Sequence, residues 1–482
     1  MCRTVAVTPL HIVETLIVAL AEAAVLMRAI LRPHREPAAR LAWVIVIIAA
    51  PVLGSVAYLL LGETRVRRRR LGRAIEERLP RPPVDDAAVR ATEDSIHSAP
   101  FKLARSVNQL SPAGGNRATL AADSNASIDA MVADVDAALT SVHLGTYIWL
   151  ADRNGLKIKD ALTRAARRGV AVRCLADALG SRAFIRSPHW RELRHSGVEA
   201  RRALPFGNIL RTLVRGRLDL RNHRKSMVVD NRIAWVGSQN LADPEFRIKP
   251  RFAPWVDIMT RWEGPIARDC QFLFVSDWMS EGGEDIAHCL TEGDVSGRHG
   301  DIVAQAIGTG PIMAYDAMPA CFAELIHSAR DELVVTTPYF VPDEQLLYAL
   351  VSAARRGVRT TIVLPRRNDS LFVAEASRSY YIDLLKAGAS IFEFRPGLLH
   401  AKTMVVDGCV GLVGSANLDR RSFELNFENN ILFADAAFAA IIRGRQDDYI
   451  AQSDPVGLTD VRDFGIGRRL AQNFFAMLGP LL

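Results

Sequence analysis

The N-terminal residues differ from the rest of the chain in how hydrophobic and polar positions alternate. Residues 41–61 contain no charged side chain, and a helix of that length reaches roughly 30 Å, enough to cross the hydrocarbon core of a bilayer. Residues 9–31 form a weaker apolar run that Glu14 and Glu22 interrupt, because a carboxylate inside a bilayer is costly. The pattern predicts an α-helical transmembrane hairpin over residues 1–62.

Two other interpretations of these segments stay open. Trp43 and Tyr58 lie near the two ends of the second run, as interfacial aromatic residues do, but a buried core helix has a similar composition. Arg3 before an apolar stretch and the small residues around Ala23 are also typical of a signal peptide. We favour the hairpin because the second apolar run, 41–61, begins only a short loop after the first run, 9–31.

Arginines follow the second apolar run and indicate its orientation. A basic block beside an apolar segment marks the cytoplasmic side of a membrane and a contact for anionic lipid headgroups. We therefore expect the body of the chain to face the cytoplasm, although Arg32, Arg35 and Arg40 in the connecting loop reduce the asymmetry. The block consists of Arg65, Arg67, Arg68, Arg69, Arg70 and Arg73.

The remainder of the chain alternates predicted strands and helices, and this order occurs twice. One copy begins with the strand pattern at 142–150 and the other at 333–341, and each continues into a helical stretch and a second strand. Both copies contain A-A-R-R-G-V, at 165–170 and 353–358. The repeat predicts an α/β fold of two similar halves about a pseudo-twofold axis. The predicted domains are the hairpin, a basic and Pro-rich linker, and the two halves, at 1–62, 63–118, 119–300 and 301–482.

Each half carries the same constellation of polar residues. The first reads HRKSMVVDNRIAWVGSQN and the second HAKTMVVDGCVGLVGSAN, with Lys, Asp, Gly-Ser and Asn at the same offsets from the histidine in both. A lone H-x-K is more often a solvated pair or a satisfied histidine, but two copies with identical offsets indicate function. The candidate residues are His223, Lys225, Asp230, Ser238 and Asn240 in the first half, and His400, Lys402, Asp407, Ser415 and Asn417 in the second.

The spacing of these residues fits a phosphate. Residues two apart on a strand project from one face, so each histidine and its lysine are predicted to face the same side. The strand then reaches Asp230-Asn231 or Asp407-Gly408, which favour a turn, and a second strand returns to Gly-Ser-x-Asn. We expect the lysines, serines and asparagines to donate hydrogen bonds to phosphate oxygens, while the aspartates hold the turns.

These motifs carry a family resemblance. The paired H-x-K-x4-D motifs, each followed by G-S-x-N, resemble the phospholipase D superfamily. With PVLGSVAYLLLGE, TTPYFVPDE and VGSANLDRRSFELNFE they are similar to bacterial cardiolipin synthases of the phospholipase D type, over nearly the whole chain. A Gly-Gly pair is common in these synthases where this chain has Gly237-Ser238. The resemblance implies a duplicated phospholipase D-like domain, two α/β sandwich halves, at the bacterial inner membrane.

The resemblance also implies a mechanism. One histidine attacks phosphorus and the other protonates the leaving alcohol; in the family the first usually attacks, so we expect His223 as nucleophile and His400 as acid, then base. Glu428 and Asp257 stand where the family often places acids that orient the histidines, although each is otherwise an ordinary strand-end acid. One phosphatidylglycerol gives its phosphatidyl group to the enzyme and releases glycerol, and a second one attacks to yield cardiolipin.

Other functions use the same pair of motifs. A phospholipase D hydrolase takes water as acceptor and makes phosphatidic acid, and a nuclease-like phosphodiesterase suits the net charge of +7. Aromatic residues make up only 7% of the chain, and no interleaved basic and aromatic platform is evident, so we expect no nucleic-acid partner. An inactive lipid-binding scaffold is expected to have lost one motif, and both are intact.

Composition narrows the class of protein and its partners. With 23% charged residues among 482, the chain is too polar for a polytopic membrane protein and too apolar for a disordered one. The six cysteines form no C-x-x-C pair or zinc-spaced cluster, so we expect reduced thiols, no metal and no cofactor. Residues 461–482 are either an amphipathic helix at a membrane surface or a helix packed on the body. The oligomeric state stays open.

Overall fold

The structure, a computed structural model, separates an N-terminal helical unit from a larger α/β body. The predicted arginine block at 65–73 lies outside the described residues, as do the loop at 32–36 and Cys2. The five cysteines in the described part of the chain are free thiols. The described residues are 9–31, 37–62, 72, 74–205, 219–291, 297–311 and 316–477.

The N-terminal unit contains α1 (Pro9–Leu31), α2 (Pro37–Ala49) and α3 (Pro51–Leu61). The second predicted span, 41–61, is therefore not one helix but is divided at Ala50. The cause is Pro51, which has no amide hydrogen and whose ring clashes with the preceding helical turn. Within the described residues, none of the helices combines the length and the apolar character needed to cross a membrane.

Helix α3 turns back onto α2. Gly54 lies so close to the backbone of Val46 that a Cβ at this glycine would come within 2.3 Å of the Val46 carbonyl oxygen. The turn brings Trp43 and Tyr58 together, with ring centroids 5.5 Å apart in an edge-to-face arrangement. The two aromatic residues therefore pack against each other and do not mark opposite ends of a span.

The first half of the body begins earlier than predicted. Two helices, at Asp86–Glu93 and Ser98–Asn108, and most of the first strand, Ala113–Leu120, lie within the stretch 63–118 that was predicted as linker. The predicted boundary at 118/119 falls inside that strand. The strands are β1 (Ala113–Leu120), β2 (Ser141–Thr146), β3 (Ala171–Asp177), β4 (Glu199–Ala203), β5 (Arg221–Asn222), β6 (Ser226–Val229), β7 (Ile233–Gly237), β8 (Trp255–Val256) and β9 (Met259–Glu263). The helices are α4 (Asp86–Glu93), α5 (Ser98–Asn108), α6 (Ser124–Asp136), α7 (Arg153–Arg167), α8 (Arg182–Arg186), α9 (Pro188–His195) and α10 (Ile266–Ser280).

The second half repeats the order of the first and ends in two additional helices. Its strands are β10 (Ile302–Thr309), β11 (Glu332–Thr336), β12 (Phe340–Val341), β13 (Arg359–Pro365), β14 (Ser390–Phe394), β15 (Leu398–Leu399), β16 (Thr403–Val406), β17 (Val410–Gly414), β18 (Leu418–Asp419), β19 (Asn426–Ala434) and β20 (Ser453–Pro455). Its helices are α11 (Ala317–Ser328), α12 (Glu344–Arg355), α13 (Leu371–Ser379), α14 (Tyr381–Ala387), α15 (Arg420–Glu424), α16 (Ala436–Ala451), α17 (Leu458–Arg462) and α18 (Ile466–Met477).

Both halves contribute to one sheet with a symmetric order. From one edge to the other the strands run β20-β14-β13-β11-β16-β17-β19-β10-β1-β9-β7-β6-β2-β3-β4. The antiparallel pair β1 and β10 forms the centre, and the pairings outward from it correspond on the two sides apart from the extra edge strand β20. The prediction of a duplicated α/β fold is confirmed, because an internal sequence repeat forms the same supersecondary unit twice.

Corresponding glycines follow equivalent helices of the two halves. Gly169 after α7 and Gly357 after α12 both have φ of +90°, a left-handed conformation that glycine adopts without steric cost. Inside the body, Trp262 of the first half packs on Phe433 and Phe438 of the second, in a hydrophobic cluster shared by both halves. The halves therefore form one folded body and do not move as independent domains.

Candidate active site

Two short parallel strand pairs join the halves beside the motif histidines. Strand β5 pairs with β19, and β15 pairs with β8. As a result the backbone amide of His223 donates to the carbonyl of Phe427 at 2.9 Å, and that of His400 to Val256 at 2.8 Å. Each motif histidine is thus anchored to the backbone of the opposite half.

The histidine and lysine of each motif precede strands β6 and β16, whereas the spacing predicted that they lie on those strands. The Lys225 ammonium donates to the carbonyl of His223 at 2.8 Å, and the Lys402 ammonium to that of His400 at 2.6 Å. All four side chains are buried. Each ammonium group is therefore fixed beside its own histidine by a backbone contact.

Each imidazole bonds to an acid from the other half. The Nδ1 atom of His223 lies 3.0 Å from both carboxylate oxygens of Glu428, and Nδ1 of His400 lies 2.6 Å from Oδ1 of Asp257. The structure thus places both predicted orienting acids beside the predicted histidines. With Nδ1 occupied, the Nε2 atom of each ring is left for chemistry.

The motif serines lie behind the acids. The hydroxyl of Ser238 donates to Oδ1 of Asp257 at 2.6 Å, and that of Ser415 donates to Oε2 of Glu428. Both serines are fully buried. They were predicted to donate to phosphate oxygens, but a buried carboxylate requires hydrogen-bond donors, and each serine satisfies its acid instead.

The motif aspartates hold the backbone at the opposite end of their strands. The Asp230 carboxylate accepts hydrogen bonds from the amides of residues 139–141, and Asp407 accepts from those of residues 330–332. Both aspartates have φ near +50°, at 51° and 50°. Burial raises the pKa of Asp230, but the three backbone amides outweigh it and hold the pKa below its usual value. Both carboxylates therefore fix a strand–turn–strand connection.

Both histidines line one cavity of about 440 Å³, which also includes the motif asparagines. The side-chain oxygen of Asn240 accepts from the amide of Ile148 at 3.1 Å. The side-chain nitrogen of Asn417 donates to Ser422 at 3.2 Å, and its oxygen is buried without a hydrogen-bond partner among the residues that the structure describes. Each asparagine therefore has one amide atom engaged by the protein, and both side chains line the cavity.

Aromatic residues on the cavity wall were missed by the sequence analysis. The Tyr147 ring lies 5.0 Å from His223, and the Tyr339 and Trp255 rings lie 6.3 and 4.7 Å from His400. Tyr147 and Tyr339 follow β2 and β11, the strands that pair with β6 and β16. In the register of these strands Tyr147 corresponds to Pro338, so only an alignment with a one-residue gap would have paired the two tyrosines.

Charged residues of the wall were missed as well. The Lys249 ammonium contacts Asp369 at 2.6 Å, and the Tyr339 hydroxyl donates to the same carboxylate at 2.7 Å. Arg420 and Arg421 also line the cavity. These residues lie outside the repeated motif, and the segment that contains the two arginines was used only as a sign of family resemblance.

Burial determines the protonation of the histidines. Desolvation lowers the pKa of His223 to about 4, against the opposing attraction of Glu428. Desolvation also lowers the pKa of His400, with a further contribution from Lys402. Both imidazoles are therefore neutral at neutral pH in the empty site.

The acids stay ionised and the lysines titrate near neutral pH. Burial raises the pKa of Glu428 and of Asp257, but their histidine partners outweigh it, so both values lie below normal. Burial lowers the pKa of Lys225 to about 8 and of Lys402 to about 7. An entering phosphodiester anion raises both lysine values, and the site is thus suited to bind an anion.

The sequence matches a known family in both halves and at the N-terminus. The family described as "Cardiolipin synthase, PLD-like domain" matches residues 131–249 and 322–446. The family described as "Phospholipase_D-nuclease N-terminal" matches residues 23–63.

Curated relatives extend this match to nearly the whole chain. Cardiolipin synthase A of Edwardsiella ictaluri is 36% identical over 477 residues, which cover 95% of this chain and 96% of the relative. Cardiolipin synthase A of Escherichia coli O1:K1 / APEC is 37% identical over 480 residues, with the same coverage of 95% and 96%.

A solved structure shows the same fold at low sequence identity. Phosphatidylserine synthase of Haemophilus influenzae Rd KW20 superposes with a TM-score of 0.58 and 13% identity, over 79% of this chain and 97% of that one. At that identity the likeness concerns the fold alone. The family match, the full-length relatives and the paired histidines agree, and the chain belongs to the cardiolipin synthases with a duplicated PLD-like domain, a family of phosphatidyltransferases.

Proposed function

We propose that this enzyme makes cardiolipin from two molecules of phosphatidylglycerol through a phosphohistidine intermediate on His223, with His400 as general acid and then general base. One observation carries the proposal: both imidazoles line one cavity, and each is held through Nδ1 by an acid from the opposite half. That arrangement leaves two Nε2 atoms for a single phosphorus atom. A covalent intermediate divides one difficult transfer into two easier steps.

In the first step the donor loses glycerol. The lone pair on Nε2 of neutral His223 attacks phosphorus, and the bond from phosphorus to the glycerol oxygen breaks. Protonated His400 gives its Nε2 proton to that oxygen, and glycerol leaves. Lys225 and Lys402 stabilise the charge that accumulates on the equatorial phosphoryl oxygens.

In the second step the acceptor takes the phosphatidyl group. The terminal hydroxyl of a second phosphatidylglycerol gives its proton to Nε2 of His400, and its oxygen attacks phosphorus. The bond between phosphorus and His223 breaks, with the electron pair returning to Nε2. The step leaves neutral His223 and protonated His400 while the cardiolipin phosphates still occupy the cavity, and the phosphodiester anion of the next donor stabilises the same proton on His400.

The surroundings of the two acids support His223 as the nucleophile. Glu428 accepts from Ser415, from Ser422 at 2.9 Å and from Asn426 at 3.1 Å, in addition to His223. These donors disperse its charge, so it does little to hold a proton on His223. Asp257 has fewer donors and a 2.6 Å contact with His400, which favours a protonated imidazole there.

We also infer that the enzyme acts at the bacterial inner membrane, with its body on the cytoplasmic side. Large aliphatic side chains of α1, α2 and α3 are exposed, and such surface is stable in contact with lipid. The helices of residues 9–62 then form a membrane-inserted hairpin whose second helix is broken at Pro51. The arginines that follow match anionic headgroups on the cytoplasmic face.

The test is a product analysis with the full-length protein in vesicles of phosphatidylglycerol labelled separately in the headgroup glycerol and at phosphorus. We expect cardiolipin and free glycerol in equal amounts, and a base-stable phosphoryl label on the peptide that contains His223. Phosphatidic acid as the only lipid product would identify a hydrolase. A label on the His400 peptide would exchange the roles of the two histidines.

A further inference from the structure

A stripe of apolar side chains on the C-terminal helix is exposed beside the cavity. At 3.6 residues per turn, Ile466, Leu470, Phe474 and Met477 of α18 lie on one face. These side chains are 78%, 66%, 57% and 76% exposed. The helix is therefore not explained by packing alone, because these four apolar side chains point away from the body.

The opposite face of α18 forms part of the active-site wall. Phe475 lines the cavity and packs edge-on against Phe372 of α13, with ring centroids 4.9 Å apart. The buried Gln472 donates to Glu375 of α13 at 3.3 Å. Helix α18 thus connects two surfaces, since one face closes the cavity and the other is an exposed apolar stripe.

Other exposed apolar residues continue the stripe around the opening. Phe372, which lines the cavity, is 46% exposed, and its neighbour Leu371 is 67% exposed. Ile248, on the first half, also lines the cavity and is 58% exposed. We call the stripe together with Leu371 and Ile248 the apolar rim.

We propose that the apolar rim docks on the surface of a bilayer that contains anionic phospholipid, so that lipid headgroups enter the cavity while their acyl chains stay among the rim side chains. The proposal rests on the proposed function, because it takes the substrate to be a phospholipid. A cavity of about 440 Å³ accommodates headgroups and a scissile phosphate, so the acyl chains of a bound lipid must extend beyond it.

Charge at the rim favours a lipid surface over a second protein. Arg469, one position before Leu470, is exposed next to the stripe, whereas the Arg468 side chain is 45% exposed and lies 3.9 Å from the Glu375 carboxylate on the side of the helix that packs on the body. Basic residues bordering an exposed apolar face are the pattern of helices that lie in the interface of anionic membranes. The apolar rim is also continuous with the cavity proposed to bind phosphate, and this continuity favours a lipid surface as well.

The test compares two forms of one substrate. In the full-length protein, Leu470→Gln combined with Phe474→Gln should lower cardiolipin formation on long-chain phosphatidylglycerol vesicles about ten-fold or more, because two apolar groups no longer enter lipid. On monomeric short-chain phosphatidylglycerol the rate should stay within about two-fold, because neither side chain lines the cavity. Ile96→Gln, at an exposed apolar position elsewhere on the body, is the matched control and should be unaffected on both substrates.

An equal loss on both substrates, or no loss on vesicles, would overturn the proposal. A second measurement does not depend on turnover: Phe474→Trp adds an indole to the stripe, and brominated phosphatidylglycerol in the vesicles should quench its additional emission, whereas the indole of Ile96→Trp should not be quenched. Unquenched emission from position 474 rejects docking whatever the product. Quenching without any cardiolipin supports docking and rejects the proposed synthase reaction.

Discussion

The two histidine sites have nearly the same backbone and different surroundings. Each histidine follows a short strand paired with the opposite half, and each bonds to an acid two residues after the start of the paired segment. The residue two before the acid differs, however. Asn426 donates to Glu428 at 3.1 Å, whereas Trp255 packs its ring 4.7 Å from His400.

This difference shows how a duplicated scaffold can divide one reaction between two equivalent groups. Around His223, additional polar groups surround the acid and leave the imidazole a neutral base. Around His400, an aromatic face and a 2.6 Å contact with Asp257 favour the charged form of the ring. The duplication supplies two imidazoles, and in the proposed mechanism the different surroundings of the acids make one imidazole the nucleophile and the other the acid.

Removing either imidazole is the most severe test of this comparison. His223→Ala and His400→Ala should each lower cardiolipin formation by about 10³-fold or more. A p-nitrophenyl leaving group departs without being protonated, so a donor that carries it does not need the acid. With this donor, His400→Ala should give a burst of p-nitrophenol, whereas His223→Ala, which lacks the nucleophile, should not. Rapid-mixing absorbance measures the burst, and a burst confined to His223→Ala would reverse the assignment.

Neutralising each acid should have the next largest effect and should separate the sites by pH. We expect Glu428→Gln and Asp257→Asn to lower turnover about 10²-fold or more. Loss of Glu428 lowers the pKa of His223, so the acidic limb of the rate profile, which requires a neutral nucleophile, moves to lower pH. Loss of Asp257 lowers the pKa of His400, so the alkaline limb moves to lower pH. Movement of the same limb in both variants would contradict the division of roles.

Removing one donor from Glu428 should give a smaller and opposite shift. In Asn426→Ala the charge of Glu428 is less dispersed, which raises the pKa of His223 and moves the acidic limb to higher pH. One hydrogen bond of this kind is worth about 1 kcal/mol, so we expect a loss of about five-fold on the acidic limb and little change near neutral pH. Trp255→Phe, which keeps an aromatic ring beside His400, is the matched control and should leave the acidic limb in place.

Stability in acid should show the smallest difference between the sites. Because the folded-state pKa of His223 is about 4 and lies below its unfolded value, the unfolded chain binds more protons as pH falls through the interval between them. The melting temperature of the wild type should therefore fall by a few degrees between about pH 6.5 and 4. His223→Asn should reduce this dependence, and the same change at His400 compares the burial of the two rings. Curves that run parallel to the wild type would show that neither imidazole is buried in its neutral form.

Much of the fold was determined by local sequence. The turns at Asp230 and Asp407 were predicted from residue type, and the glycines of the repeated A-A-R-R-G-V, Gly169 and Gly357, likewise have positive φ in the structure. The identical offsets of the motifs also predicted two equivalent halves. The prediction of one continuous helix over 41–61 was wrong. It was based on apolar composition and did not consider that Pro51 disrupts the preceding helical turn.

The sequence alone determined that two imidazoles and two ammonium groups recur at identical offsets, and the family resemblance indicated the two acids. Only the tertiary structure decided that each acid serves the histidine of the opposite half and that the serines face the acids. The physical reason is that a motif specifies what lies along one strand, whereas contacts between the halves depend on strand pairings such as β5 with β19. Those pairings follow from packing of the whole sheet, which no short segment encodes.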